Sequence, residues 1–352
     1  MKTPWELLKE SKTKIKTTWR IAFVSALVLG LLIHLPVMLS DIPNHDGLSS
    51  MYFDQNMITS GRWFLTVACG FSSYFTIPWV IGLIGLIWLA LTAAVLTEVL
   101  ELTDPVTITV VSGLLVSFPA LASTFAYVFT MDGYMLALFL AVLAVLFTAK
   151  YPRGYLAGAV CLAFSMGIYQ AYLPFTILLC VYKILLYFME EKGWKEKAKY
   201  VCHYLGMGIA GGVLYYVILQ ILLKLQGKVL DTYQGINSME QMGSSMGILA
   251  TIKEMYVDFL AFTVHGNVLV NNIFSLAACI ILVATVVFLV IRSMIWRKWW
   301  KNPAFFVIMI LLGISMPLLT NVILLISPNL TYHLLMRYQW VLYLILMTAF
   351  AD

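Results

Sequence analysis

The sequence predicts an all-α integral membrane protein of nine or ten transmembrane helices with a cytoplasmic N-terminus. Three observations predict it. First, 62% of the 352 residues are hydrophobic and only 11% are charged, where a soluble domain carries about 25%. Second, several nearly uncharged runs exceed the roughly 18 residues needed to cross an apolar slab of about 30 Å. Third, alternating the runs in and out puts 17 of the 22 lysines and arginines on the N-terminal side; the exceptions are Arg62, Lys224, Lys228, Lys253 and Arg337. Positive charge stays cytoplasmic, so this side is inside. A soluble helical protein with a large core could not hide this much apolar surface.

The formal charge of +5 is spread over these inner loops and forms no single patch, which argues against a nucleic-acid partner. The five cysteines (Cys69, Cys161, Cys180, Cys202, Cys279) have no CxxC spacing and sit mostly in apolar runs, so they read as small buried hydrophobes. The whole chain, 1–352, reads as one polytopic membrane domain. Met1–Arg20 is basic and amphipathic, with Trp5 and Trp19 as interface anchors, and forms a cytoplasmic surface segment. The first apolar run carries no cleavage site and is a full span.

Span 1 is expected at Ile21–Leu39. Residues 40–76 then form the first extracytoplasmic loop, with an amphipathic juxtamembrane helix over Trp63–Tyr74. Span 2 follows at Ile77–Val99, and Asp104-Pro105 starts the next helix. Span 3 is Val106–Phe125 and span 4 Met135–Ala149, with the polar gap Thr130–Tyr134 between them. Spans 5, 6 and 7 are Leu156–Tyr169, Leu173–Met189 and Val201–Leu225; in span 7 Gly206, Gly208, Gly211 and Gly212 suggest a packing face. After a longer outer region, Gln226–Asn272, come span 8 (Ile273–Ile291) and span 9 (Ala304–Ile326). The apolar run from Tyr338 to Asp352 is too short for a comfortable span, so the chain is expected to be truncated there.

One polar stretch stands out. Ser40–Leu65 (SDIPNHDGLSSMYFDQNMITSGRWFL) holds Asp41, His45, Asp46, Asp54 and Arg62. The topology puts these residues on one side of the membrane with Asp132, Tyr169, Gln170, His333 and Arg337. Ionisable residues are scarce inside the spans: Lys183 lies near an inner end and His34 near an outer one. A proton-coupled carrier would place carboxylates at mid-membrane. The pattern therefore favours chemistry at the outer surface. A transporter or flippase of a lipid-linked saccharide is the competing reading, and a structural subunit a third.

Three motifs carry a family resemblance: the first-loop Asp followed by Gly61-Arg62-Trp63, FPALASTFAYVFTMDGY (Phe118–Tyr134), and GIYQAY (Gly167–Tyr172). From about Ile21 to Arg337 the chain resembles the bacterial GtrII-type glucosyltransferases, within the GT-C class of polytopic glycosyltransferases. Members often carry paired Asp-Asp in the first loop, where this chain reads His45-Asp46-Gly47. The resemblance implies a multi-pass protein of the bacterial cytoplasmic membrane. Such a protein moves a hexose, most simply glucose, from a polyprenyl-phosphate donor to a cell-surface polysaccharide or teichoic-type polymer outside.

The residues suit that chemistry. An acceptor hydroxyl attacking an anomeric carbon needs a base, which a carboxylate supplies; the leaving lipid phosphate wants a guanidinium. Asp46 is the candidate base, with Asp41 and Asp54 as further catalytic candidates. His45, Arg62, Asp132, Tyr169, Gln170 and Arg337 are candidates for binding substrate or phosphate. Each has a plainer reading. Asp46 precedes a helical pattern and suits an N-cap; Asp54 suits a solvated face; His45 reads as a surface histidine; Arg62 suits a structural pair with a loop Asp; Tyr169 and Gln170 suit an interface belt. The loop carboxylates would allow a divalent cation, Mg or Mn, but no spacing demands one.

Overall fold

The computed structural model describes residues 15–40, 46, 57–69, 77–231, 245–265, 272–296, 298, 303–327 and 331–352, together with 3, 5 and 6. Among them the chain is helical, without a strand. In order run α1 (Thr17–Leu39), α2 (Pro78–Leu100), α3 (Pro105–Ser117), α4 (Pro119–Phe125), α5 (Met131–Lys150) and α6 (Gly154–Ile168). They are followed by α7 (Leu173–Met189), α8 (Trp194–Gln226), α9 (Ser245–Leu260), α10 (Ile273–Trp296), α11 (Pro303–Thr320) and α12 (Val341–Ala351). Among the described residues seven helices are long and apolar enough to cross a membrane. The bent pair α3–α4 makes an eighth if it is one span, against the nine or ten expected, and two further apolar helices, Gly154–Ile168 and Val307–Thr320, are shorter. This is an all-α, multi-pass membrane protein. Helices are the natural solution, because each closes its own backbone hydrogen bonds where lipid offers none.

Pair contacts give the helix directions. Trp19 meets Glu98 at one end of α1 and α2, and Met38 lies under Gly82 at the other, so the two are antiparallel. Met131 packs on Gly85 while Lys150 reaches Glu98, so α5 runs parallel to α2. Ser165 Oγ donates to Ala137 O at 2.8 Å, turning α6 back along α5. At one end of the bundle Glu98 gathers Lys16, Trp19 Nε1 (2.9 Å) and Lys150 (3.0 Å), and Lys183 pairs with Glu101. Arg62, Asp132, Tyr169 and Gln170 lie at the other end, as the alternating spans require. Cores α2 and α5 are the most enclosed, whereas α10 has no buried residue among those described.

Span 3, expected as one helix, is broken. Pro119 starts α4 and pushes Phe118 to extended φ −65°, ψ 135°, bending the chain by 48°. A proline at this point leaves the carbonyls of the preceding turn without their helical donors. Leu115 O instead accepts from the Tyr338 hydroxyl, and Val116 O from His34 Nε2 at 2.8 Å. His34 is buried and stacked on Phe125 at 4.0 Å. Two helices distant in sequence thus repair the break, as irregular backbone at membrane depth demands.

Other departures are local. Asp104 caps α3 as expected, accepting from Thr107 N at 2.8 Å. The juxtamembrane helix expected over Trp63–Tyr74 is a single turn, Leu65–Ala68, before residues outside those described. Helix α8 begins at Trp194, earlier than the expected Val201. The last apolar run gains length from the tight turn Leu334–Trp340, giving an 18-residue apolar segment, Leu334–Ala351. Its end returns to the start of α3, where Asp352 accepts from Thr103 N (3.0 Å) and Asp104 N (3.2 Å).

Candidate active site

The three sequence motifs meet at the end of the bundle opposite Glu98 and Lys150. Residues 57–65 form a tight turn in which Arg62 N donates to Met57 O at 2.7 Å and Gly61 N to Ile58 O at 2.9 Å. Gly61 adopts φ +77°, and a Cβ there would stand 2.6 Å from both Gln170 Nε2 and the Tyr215 hydroxyl. Gln170 Nε2 donates to Ser60 O (3.3 Å) and to the Tyr215 oxygen (3.0 Å), and Tyr215 donates to Gly61 O (3.0 Å). Phe64 N donates to Gly167 O at 2.7 Å, and the Trp63 ring lies so close over Gly167 that a Cβ would meet it at 2.6 Å. So Gly61-Arg62-Trp63 is seated on GIYQAY, and glycine is needed on both sides of the contact.

Arg62 reaches the second motif. Its Nε donates to Ser60 Oγ at 2.9 Å and Nη1 to the Tyr134 hydroxyl at 3.3 Å, leaving the guanidinium half-buried. Tyr134 stacks on Tyr169 at 4.3 Å and 11°. Tyr169 meets Tyr172 edge-on at 5.5 Å, and Tyr172 meets Tyr338 at 6.3 Å. Asp132, on the first turn of α5, is 4% exposed and accepts from Gly133 N at 2.9 Å. Two donors in this region, Trp63 Nε1 and the Tyr172 hydroxyl, are buried with no partner among the described residues.

Arg337 belongs to a second polar centre, joined to the first through Tyr338. Its Nη1 and Nη2 donate to the two oxygens of Asp258 at 2.7 and 2.6 Å, and Nε to Tyr332 O at 3.2 Å. Tyr332, Phe262 and Trp340 surround the guanidinium, with Tyr332 nearest at 3.9 Å from the ring centre. Asn321 Nδ2 also donates to Asp258, at 3.1 Å. Burial pushes the Tyr332 phenol above its usual range while Arg337 pulls it down.

Among the expected site residues, Arg62, Tyr169 and Gln170 therefore come together, Asp132 lies on the first turn of α5 two residues before Tyr134, and Arg337 stands apart on Asp258. Asp46 is helical and half-buried. Asp41, His45 and Asp54 lie outside the described residues. No three His, Cys, Asp or Glu side chains among the described residues could hold a metal ion. Sequence reading missed Tyr134 and Tyr215, the partners of Arg62 and Gln170, although Tyr134 ends the second motif. It also missed Asp258, whose signal was a lone carboxylate in the apolar stretch Tyr256–Leu260.

Comparison with known proteins finds no match among curated proteins and none among solved structures. The family model described as glucosyl transferase GtrII matches residues 35–350, which takes in all three motifs and both polar centres. The chain belongs to the GtrII glucosyl transferase family.

Proposed function

We propose that the protein transfers glucose from a polyprenyl-phosphate donor to a cell-surface glycan, a polysaccharide or teichoic-type polymer, on the outer face of the bacterial cytoplasmic membrane. The observation that carries this reading is the meeting of the three motifs around Arg62. It sets a half-buried guanidinium beside the stacked Tyr134 and Tyr169, in a region where two buried donors have no partner among the described residues, at the end of the bundle opposite Lys150 and Lys183. Buried donors without partners cost about 1–3 kcal/mol each, and oxygens of a sugar or phosphate would satisfy them.

In the proposed reaction an acceptor hydroxyl attacks the anomeric carbon and gives its proton to Asp46. The bond from that carbon to the phosphate oxygen breaks, and the lipid phosphate leaves with its charge against Arg62. One displacement needs one base and no covalent intermediate. Tyr169, Gln170 and Asp132 line the sugar, and Arg337 serves as a second phosphate contact once Asp258 shares it. Asp41 and Asp54 are the carboxylates next in line for the base, and His45 for substrate contact.

The test is transfer from radiolabelled polyprenyl-phosphate glucose to glycan in membranes, with wild type and Asp46→Asn at matched expression. Removal of a general base lowers the rate by about 10²–10⁴-fold, and that loss is the expected result. Full activity in the variant would move the base to Asp41 or Asp54. No transfer by wild type would reject the donor.

A further inference from the structure

The backbone that carries Arg62 is held peptide by peptide. The three carbonyls before it each accept a hydrogen bond from outside the turn: Thr59 O from Asp231 N at 3.0 Å, Ser60 O from Gln170 Nε2 at 3.3 Å, and Gly61 O from the Tyr215 hydroxyl at 3.0 Å. Two of these peptide units are also held by their N–H groups, since Gly61 N donates to Ile58 O and Arg62 N to Met57 O. A peptide unit is planar, so bonds at both ends fix its orientation. The unit joining Gly61 to Arg62 is fixed in this way, and it sets the direction in which the Arg62 side chain leaves the backbone. Tyr215 and Asp231 come from α8 and its exit, outside all three motifs.

Helix α8 meets the bundle along Met207, Gly211, Tyr215, Leu219 and Leu223, one buried residue at every fourth position. Phenylalanine at position 215 would fill the same space and keep the contact with the Trp63 ring, whose centre lies 6.5 Å away. What the hydroxyl adds is a relay: it accepts from Gln170 Nε2 at 3.0 Å and donates to Gly61 O. Removing it takes the outside donor from Gly61 O and one of two acceptors from Gln170 Nε2. The guanidinium keeps its own bonds, to Ser60 Oγ and the Tyr134 hydroxyl. Arg62 is then loosened at its root and not at its tip.

We propose that Tyr215 is a positioning residue for the transfer: with Gln170 and the Asp231 N–H it fixes the peptide units ahead of Arg62 and so aims the guanidinium at the leaving phosphate. This rests on the reading of Arg62 as the phosphate contact.

The experiment is a double-mutant cycle on donor kinetics in membranes, with Tyr215→Phe, Arg62→Lys and the pair. Alone, Tyr215→Phe is expected to lower kcat roughly tenfold, the scale of one hydrogen bond. The donor KM should stay within about twofold, because the charge on the leaving phosphate develops only in the transition state. In the Arg62→Lys background the same change should cost less than about twofold, because there is no fork left to aim. A tenfold loss in both backgrounds, or none in either, overturns the proposal. If Tyr215→Phe does not fold, Asp231→Pro, which removes the N–H bonded to Thr59 O, takes its place in the cycle. A second readout needs no substrate: phenylglyoxal modification of the full chain in detergent, followed by peptide mass spectrometry. Arg62 should react several-fold faster in Tyr215→Phe, with Arg337 unchanged as the internal control; an unchanged rate at Arg62 overturns the proposal. If wild type transfers no glucose while Arg62 still reacts faster in the variant, the donor assignment fails and the positioning stands.

Discussion

At the scale of single residues, the site depends on contacts too close to tolerate enlargement. Gly61→Ala meets both a positive φ, which costs about 1–2 kcal/mol, and a collision at 2.6 Å with Gln170 and Tyr215. The variant should unfold at lower temperature in detergent and lose transfer; an unchanged melting temperature would contradict the described seat. Tyr134→Phe removes one hydrogen bond to a charged donor, a contact worth about 1.5–3 kcal/mol. If Arg62 must be aimed at the phosphate, kcat/KM for the donor falls roughly 10-fold or more, with little change in stability. An effect on stability alone would make Tyr134 a packing residue. Arg62, Tyr169 and Gln170 were legible in the sequence because they lie within motifs. Tyr215 was not, since one tyrosine inside an apolar span carries no local signal of what its hydroxyl reaches 154 residues away.

At the scale of elements, the helix limits follow from composition more closely than the breaks do. Helix α7 occupies Leu173–Met189 as expected, bounded by the polar Tyr169–Gln170 corner and the charged Glu190–Lys192 turn. The start of α3 was legible from Asp104-Pro105, a cap followed by a residue fit for the first helical turn. The break at Pro119 was hidden, because Phe118 to Leu121 is apolar throughout and hydropathy does not register a missing N–H. Its repair was hidden too, since it uses His34 and Tyr338, far away on either side in sequence. Tyr338→Phe leaves the Leu115 carbonyl buried without a donor, a penalty of about 1–3 kcal/mol. It is therefore expected to lower the melting temperature without altering the donor KM. A variant as stable as wild type would show that the hydroxyl does not close the break.

At the scale of the whole molecule, the protein separates two polar ends by an apolar body, and α9 is tied to the Leu334–Trp340 turn by the partly buried ion pair of Asp258 and Arg337. Asp258→Asn leaves the Arg337 charge without its bidentate partner, a loss below the about 3–5 kcal/mol of a fully buried pair because the Asp258 side chain is 23% exposed. It should loosen α9 from the Leu334–Trp340 turn, which faster hydrogen exchange over 245–265 would reveal. Replacing both members with apolar residues, Asp258→Leu with Arg337→Met, should recover part of that stability. No recovery would mean that the pair contributes more than mutual neutralisation. The all-α, multi-pass architecture was legible because long uncharged apolar runs recur along the chain. The pairing of Asp258 with Arg337 was not, because 79 residues separate them.

The central claim is that the donor phosphate binds at the outer centre around Arg62. A photoreactive polyprenyl-phosphate analogue, cross-linked in membranes and mapped by peptide mass spectrometry, measures this directly. The account predicts label on peptides carrying Arg62, Tyr134 and Tyr169, displaced by an excess of unlabelled donor. Label confined to the opposite end, on peptides carrying Lys150 and Lys183, would contradict it.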